Sequence, residues 1–416
     1  MCVLLALVMS AGGRRVMAHP FDGDGSGPAK EGSSNVQAYL YVEPYTCRVE
    51  CLLWLPTALE VFGMPQGDAL VLAPEVKAQL IQKARTEALS WCAVKVNGVD
   101  QPLDLTASTV LRGMPGNSDV IPPNEAVGVM DAMLGLTWEC SAPADIKQVE
   151  IEWKKFGPAA PGVPVTVSYG PIFEHGMVLN AAAPTGTWKN NGSLPPARAL
   201  ATVPPLPAKP AFDLPLGSMI WVLLVGVLIW QKRWYSPKAP KMAGLASLAL
   251  VLGAAALWPV LEVSVPAPWI KKETLGVSDA QEVLQALLRN TYRAFDQRDE
   301  SAVYDVLARS IHGNLLERLY VQTARALALE AQDGTRAKVS DLAVDVDSVN
   351  LLPNSDGFVA TGQWTAFGRV GHWGHMHNRI NKYKANMTVE PVDGAWKLTG
   401  LEVLEEVRDF AKTPGQ

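Results

Sequence analysis

The amino-acid sequence predicts a multidomain membrane protein that consists of a mostly-β N-terminal domain, a transmembrane hairpin of two helices and an α+β C-terminal domain. Three observations lead to this fold class. Two long apolar runs without a charged residue follow each other in the middle of the chain. The residues before them alternate between apolar and polar, which is typical of strands. The residues after them change from a helical period to a strand period.

The two central apolar runs cover residues 214–230 and 242–261. A helix rises about 1.5 Å per residue and the hydrocarbon core is roughly 30 Å thick, so about 20 apolar residues cross it and 17 are at the lower limit. Buried helices of a large soluble domain are the alternative, but such helices usually carry a polar face. Transmembrane helices are therefore expected over both runs.

The loop between the runs, residues 231–241, contains basic residues and no acidic residue. The positive-inside rule places such a loop in the cytoplasm, which puts both flanking domains on the opposite, extracytoplasmic side. The sequence thus predicts an integral membrane protein, with the periplasm as the location of the domains if the source is bacterial.

Length and charge limit the classes of partner. The chain has 416 residues, a net charge of −5 and a sequence pI near 5.8. This length accommodates two or three domains. A nucleic-acid-binding protein needs a basic surface that this composition does not indicate, so nucleic acid is not expected as a partner. The predicted partners are the lipid bilayer and other envelope proteins.

The first 18 residues predict a signal peptide, because a short apolar stretch is followed by small residues before His19. An uncleaved leader is the alternative, since Arg14 and Arg15 follow the apolar stretch instead of preceding it. Export of the two large domains is inferred independently from the charges of the 231–241 loop.

Residues 35–185 predict the mostly-β domain with one helix. Pro74 suits a first helical position, and the apolar spacing that follows predicts a helix over 74–90. The remaining segments favour a β-sandwich. The proline-rich residues 192–213 predict an extended linker. The first strand shows the period of two most clearly, at Val36, Ala38, Leu40 and Val42.

Residues 278–408 predict the α+β C-terminal domain. Three amphipathic helical segments come first, and the period then changes to two over about four segments. The helical part begins with LLRNTYRAFDQRDESAVYDVL, and the last strands contain DGAWKLTGLEVLEE. In this order of elements and in these two stretches, the segment resembles the NTF2-like superfamily.

The resemblance implies a curved sheet that wraps a long helix and forms a cone with a pocket inside. NTF2-like domains include isomerases, dehydratases, transport factors and accessory domains, so the resemblance implies no single activity. No enzyme motif of the superfamily is matched in this chain, and no catalytic residue is carried over. No nucleotide-binding or metallohydrolase motif is present either, and no cofactor is predicted.

Four cysteines remain once Cys2 is assigned to the leader. Cys47 and Cys51 lie on one predicted strand about 13 Å apart, beyond the roughly 7 Å limit of a disulfide. Disulfides would then join these two residues to Cys92 and Cys140, in one of two orders. Buried free thiols are the alternative, since unpaired cysteine packs well in cores.

One predicted strand carries a polar row toward one end of the core face of the C-terminal domain. In an NTF2-like cone this is the mouth of the pocket, where such side chains would bind a small anionic or polar ligand. A metal site at His372, His375 and His377 and a polar rim without a ligand are the alternatives. The members of the row are His375, His377, Arg379, Asn381 and Tyr383.

These observations predict a membrane-anchored envelope protein that acts as a non-enzymatic binding or assembly module. The alternative is an enzyme with a small-molecule site in the C-terminal cone, in which His375, His377 or Arg379 is an acid, a base or an anion clamp. A deep pocket with a histidine–carboxylate pair favours the enzyme, and a filled cone favours the binding module.

Overall fold

A computed structural model describes residues 35–64, 70–169, 172–207, 211–235, 241–266, 275–333, 336–353 and 355–410. The chain divides into two compact units. The first comprises Met1–Pro204 together with Gly276–Gln416, and the second is Pro205–Leu275. The predicted signal peptide, residues 1–18, lies outside the described residues.

The N-terminal part of the first unit is a β-domain with two α-helices, one more than the sequence predicted. The helices are α1, Leu55–Val61, and α2, Pro74–Glu87. Pro74 stands at the first helical position, where its missing N–H leaves no hydrogen bond unmade. The strands are β1 Val36–Glu43, β2 Thr46–Trp54, β3 Val71–Leu72, β4 Cys92–Val96, β5 Val99–Gln101, β6 Asp104–Met114, β7 Asn117–Val120, β8 Val127–Gly128, β9 Ala132–Ser141, β10 Gln148–Trp153, β11 Gly162–Tyr169, β12 Ile172–Asn180 and β13 Thr185–Lys189.

Two main sheets organise this β-domain. A seven-stranded sheet has the order β12-β11-β1-β2-β9-β6-β7, and a four-stranded sheet has the order β13-β10-β4-β5. The apolar core contains residues of both sheets and of α1 and α2. The alternating residues of β1 that the sequence assigned to the core, Val36 to Val42, are buried there.

The other face of the seven-stranded sheet is buried as well, and we call it the outer face. Every residue of β2 from Thr46 to Leu53 is buried, although successive side chains point to opposite sides of a sheet. A strand with two buried faces needs a cover on each of them. The C-terminal domain covers the outer face.

The C-terminal domain consists of three helices followed by four strands, in the order predicted from the sequence. The strands form an antiparallel sheet, β16-β17-β18-β19. Register shifts within its ladders mark bulges, which bend a sheet. The elements are α5 Val277–Tyr292, α6 Glu300–Ala308, α7 Asn314–Asp333, β16 Arg336–Leu351, β17 Phe358–His372, β18 His375–Val392 and β19 Ala395–Phe410.

The second unit contains two helices between two strands. The strands β14, Ala211–Pro215, and β15, Glu262–Pro266, pair antiparallel. The helices are α3, Leu216–Tyr235, and α4, Lys241–Leu257. The Ser218 hydroxyl donates a hydrogen bond of 2.5 Å to the Ala254 carbonyl, which joins the two helices. Apolar side chains such as Leu223 and Leu252 are exposed on them.

The predicted transmembrane hairpin over 214–230 and 242–261 is wrong. Among the described residues, no helix combines the length and the apolar character that a bilayer crossing requires. The first run begins inside β14, and the last turns of α3 contain Gln231, Lys232 and Arg233 before the helix ends at Tyr235. Helix α4 has 17 residues, or about 25 Å, and stops before the run does.

Three further predictions depended on the two membrane crossings and are not supported without them. The membrane fold class, the cytoplasmic loop at 231–241 and the extracytoplasmic placement of both domains all rested on two crossings. The loop charges carry topological information only between two transmembrane helices. The integral-membrane location predicted from the sequence is therefore not supported.

The proline-rich segment after β13 is extended without regular structure up to residue 207. A pair of hydrogen bonds joins it to the C-terminal domain. The Asn290 side chain accepts a hydrogen bond of 2.6 Å from the Ala201 N–H and donates one of 3.0 Å to the Ala201 carbonyl. The predicted linker, 192–213, ends early because β14 begins at Ala211.

Candidate functional site

The described members of the predicted polar row are buried inside the C-terminal domain. Arg379, Asn381 and Tyr383 lie on β18 with 7, 1 and 1% of their surfaces exposed. Arg379 Nε donates to Asn381 Oδ1 at 3.1 Å, and Asn381 Nδ2 donates to the Tyr383 hydroxyl at 2.9 Å. The three side chains share one face, as predicted, and these hydrogen bonds join them into one row.

Aromatic side chains fill the space beside this row. The ring of Trp364 stacks on that of Tyr383 with centroids 4.9 Å apart. Its indole Nε1 donates to the Tyr292 hydroxyl at 3.1 Å. Burial raises the pKa of Tyr292, so its hydroxyl stays protonated. At this position the inner face of the sheet is filled by the protein's own side chains.

The histidines of the predicted ligand and metal sites lie at the end of the same hairpin. In the backbone register, His372 pairs with His375 across the turn, and His377 pairs with Val370. Their side chains lie outside the described part of the structure. Within the described part, no group of three or more His, Cys, Asp or Glu side chains is placed to hold a metal ion. The histidine metal site stays a prediction.

The turn of this β17–β18 hairpin, Trp373-Gly374, is the docking tip of the C-terminal domain. Both residues have positive φ, 46° and 85°, as the tight type I′ turn requires. Glycine adopts this conformation freely, but a bulky residue such as tryptophan rarely does. A strained conformation of this kind persists only where surrounding contacts hold it, and such residues occur mainly at functional sites.

The contact that holds Trp373 is made by the outer face of the β-domain. Its side chain is 1% exposed. Gly135 provides the space, since a Cβ there would lie 2.5 Å from the indole ring. The Gly116 N–H donates to the Trp373 carbonyl at 3.1 Å. The apolar residues clustered with Trp373 are Tyr39, Tyr41, Leu52, Ala107, Leu111 and Met133.

A buried ion pair borders this aromatic pocket. Arg48 and Glu50 are 4% and 0% exposed, and Arg48 Nη2 lies 3.2 Å from Glu50 Oε1. The Arg48 guanidinium also stacks on Tyr41, 4.3 Å from the ring centroid. The Gly374 N–H donates to the Tyr41 hydroxyl at 3.1 Å and to Glu50 Oε2 at 3.2 Å. The docking tip thus brings hydrogen-bond donors to a buried carboxylate.

The Glu50 carboxyl predicts a pH dependence. Burial raises its pKa, and the Arg48 charge and the hydrogen bonds from the docking tip lower it only in part. Above its unfolded pKa of about 4.3, the unfolded state loses the proton first, so this carboxyl removes stability as the pH rises toward the raised pKa. We expect Glu50→Gln to flatten this dependence in urea unfolding above roughly pH 4. If the free energy of unfolding depends on pH equally in the wild type and in Glu50→Gln, the pH dependence does not come from the Glu50 carboxyl.

A cavity of about 290 Å³ lies between the outer face and the C-terminal helices. The Arg298–Glu139 ion pair, 2.9 Å between Nη2 and Oε2, lies in its wall with both side chains nearly buried. A shallower depression adjoins it near Tyr304 and Asp305. The residues around the cavity are Asp104, Thr106, Glu139, Cys140, Ser141, Arg298, Glu300, Val303, Tyr320, Ala324, Leu327 and Ala328.

The four cysteines of the β-domain are buried free thiols in the sandwich core. Cys47 and Cys140 are directly opposite each other on β2 and β9. Cys51 is opposite Leu136, and Cys92 is opposite Trp153. The structure therefore places one cysteine pair side by side, and the two pairing orders considered from the sequence are not equivalent.

Sequence reasoning missed the outer face. Arg48 and Glu50 alternate with the core residues of β2, so their period indicates a solvent-facing side. A signal was present in the neighbouring strand, where Tyr39 and Tyr41 occupy the same alternate positions and are opposite Glu50 and Arg48. Aromatic residues on the supposedly exposed face of a strand indicate a second buried side.

No protein family and no curated protein matches the chain. Among solved structures, the intermembrane space region of the chloroplast protein ARC6 is similar at 20% identity, over 32% of this chain and 98% of that one. The TM-score of 0.25 is too low to transfer a fold or a function.

Proposed function

We propose that the protein is a non-enzymatic binding or assembly module whose site is the cavity between the outer face and helices α6 and α7. The observation that carries this proposal is the cavity itself, which residues of both domains enclose. Ligand sites occur preferentially at such junctions between domains. The docking tip and the Arg298–Glu139 pair hold the two walls together, so the site depends on the assembled first unit.

The interior of the C-terminal domain supports a binding module more than an enzyme. Arg379, Asn381 and Tyr383 are hydrogen-bonded to one another inside the domain and are nearly inaccessible to solvent. A general acid, base or anion clamp has to reach its substrate within hydrogen-bond distance. The filled inner face leaves these groups in a structural role.

The chemistry of the cavity favours a cationic ligand group. Arg298 is already paired with Glu139, whereas Asp104 and Glu300 are exposed carboxylates at the cavity. Tyr320 lies at both the cavity and the adjoining depression, so an aromatic face is available beside the carboxylates. Carboxylates with an aromatic ring bind lysine or arginine side chains well. The partner we propose is a protein with an exposed basic segment.

The test is affinity purification of the full-length protein with quantitative mass spectrometry. We expect a protein partner with a basic segment to be retained by the wild type and reduced at least tenfold by the double variant Asp104→Asn/Glu300→Gln. Both substitutions remove a charge and preserve side-chain size, so the fold is maintained. Retention should also fall at high salt, because the contact is electrostatic.

The matched control is Asp119→Asn/Glu402→Gln, which removes two exposed carboxylates away from the cavity. This variant should retain the partner as the wild type does. Equal loss in both double variants would indicate a general charge effect. A partner retained by all three proteins would place the binding site elsewhere, and a copurifying small molecule that is chemically converted would favour an enzyme.

A further inference from the structure

Cys47 and Cys140 are the cysteines that the β-sheet itself brings together. They are direct partners in the antiparallel ladder of β2 and β9. Opposite residues in such a ladder have Cα atoms about 4.5–5.5 Å apart. This spacing lies within the roughly 4.4–6.8 Å range that a disulfide spans. No shift of either strand is needed to bring the two thiols into bonding range.

Side-chain contacts agree with the register. The two thiols hydrogen-bond to each other, and both residues belong to the sandwich core. This hydrogen bond and burial raise the pKa of Cys47, so its thiol is protonated at neutral pH. The pair is located near strand ends, since β2 begins at Thr46 and β9 ends at Ser141. Strand ends open locally more readily than strand centres, which gives a small oxidant access.

The other pairings are less favourable. Cys47 and Cys51 share one strand and one face, about 13 Å apart. Cys92 belongs to the four-stranded sheet, where its ladder partner is Trp153. A bond from Cys92 to either residue of β2 has to cross the sandwich core, across sheets that pack about 10 Å apart. Of the four cysteines, only Cys47 and Cys140 are direct ladder partners on adjacent strands, since Cys51 is opposite Leu136.

We propose that Cys47 and Cys140 are a redox modification site that forms a cross-strand disulfide in the presence of a small-molecule disulfide such as oxidised glutathione. One thiolate attacks the oxidant and displaces one thiol, which gives a mixed disulfide. The second protein thiolate then attacks the protein sulfur of that mixed disulfide and displaces the other half. Both protein thiols are oxidised, the oxidant is reduced to two thiols, and these take up the two protons.

The bond lies next to the cavity wall. Cys140 adjoins Glu139, and Cys47 adjoins Arg48. Glu139 and Arg48 are opposite each other on the outer face of the same strand pair. A covalent link between β2 and β9 fixes the strands that carry both the ion pair of the cavity and the ion pair of the docking tip. It closes a loop of about 100 residues and should raise Tm by on the order of 10 °C.

Trypsin makes the test direct, because each of the four cysteines falls on its own peptide. These peptides are residues 31–48, 49–77, 86–95 and 113–147. The full-length protein is incubated with oxidised glutathione at mildly alkaline pH, free thiols are alkylated under denaturing conditions, and the digest is analysed without reductant. We expect a linked species of 31–48 with 113–147, which disappears on reduction.

Two variants separate this pair from the others. Cys47→Ser should abolish both the linked species and the rise in Tm on oxidation, whereas Cys51→Ser, the matched control on the same strand, should preserve both. The digest of the oxidised wild type shows which cysteines are linked even if a variant fails to fold. Linkage of 31–48 to 86–95, or alkylated cysteine in both 31–48 and 113–147 after oxidation, would overturn the proposal.

Discussion

Trp373→Ala is expected to separate the C-terminal domain from the outer face, at a cost of about 3–5 kcal/mol in the free energy of unfolding. The indole is almost fully buried in an apolar pocket of the β-domain, and alanine leaves that pocket empty. Urea unfolding should then show a lower midpoint or two transitions. Hydrogen exchange of the β1 and β2 backbone should accelerate by roughly 10²–10³-fold.

Three variants test whether the loss of stability in Trp373→Ala comes from lost docking or from the changed geometry of the turn. Trp373→Asn suits the positive φ of the turn but removes the indole, so it should lose docking as alanine does. Trp373→Phe should preserve docking, because no described group accepts a hydrogen bond from the buried indole N–H. Asp393→Ala changes an exposed residue of positive φ in the β18–β19 turn. A loss in Asp393→Ala as large as in Trp373→Ala would assign the effect to turn geometry.

Arg48→Met is expected to destabilise the protein by about 3–5 kcal/mol, because it leaves the Glu50 carboxylate buried without its cation. The Arg48 charge lowers the pKa of Glu50 against the effect of burial, so its loss should raise this pKa further. The double variant Arg48→Met/Glu50→Gln removes both charges, while glutamine can still accept the hydrogen bond from Gly374. It should recover most of the loss, as neutral replacements of buried pairs commonly do.

Urea unfolding of the wild type, both single variants and the double variant gives the coupling energy. Lys95 and Glu150, a half-exposed cross-strand pair at 3.0 Å, provide the matched control. Lys95→Met should leave the unfolding midpoint unchanged within error, because water screens that pair. If Arg48→Met behaves in the same way, the buried pair does not stabilise the docked state.

Sequence reasoning identified those features that depend on local periodicity. The alternation in β1 correctly assigned Val36, Ala38, Leu40 and Val42 to the core, because one strand against one core obeys a period of two. The facing of Arg379, Asn381 and Tyr383 was predicted for the same reason. Their burial in an internal network was not, since the size of neighbouring side chains such as Trp364 decides it.

The errors concern features that depend on distant parts of the chain. Trp373 and Gly135 are far apart in sequence, and no local pattern indicates that a turn in one domain enters a sheet in another. The apolar runs at 214–230 and 242–261 satisfied a composition rule, but composition does not show that the first run is divided between β14 and α3. Where a helix begins is set by pairing of β14 with β15, which joins residues about 50 positions apart.

The reciprocal hydrogen bonds between Asn290 and Ala201 divide the polypeptide in an unexpected way. They tie the chain to the C-terminal domain before it enters Pro205–Leu275, and it rejoins that same domain at α5. Residues 205–275 therefore form an insertion, and the chain is attached to the C-terminal domain both before and after it. Loop-closure entropy grows only logarithmically with length. The rest of the protein should therefore tolerate a shortened or exchanged insertion, as scaffolds used for domain insertion do.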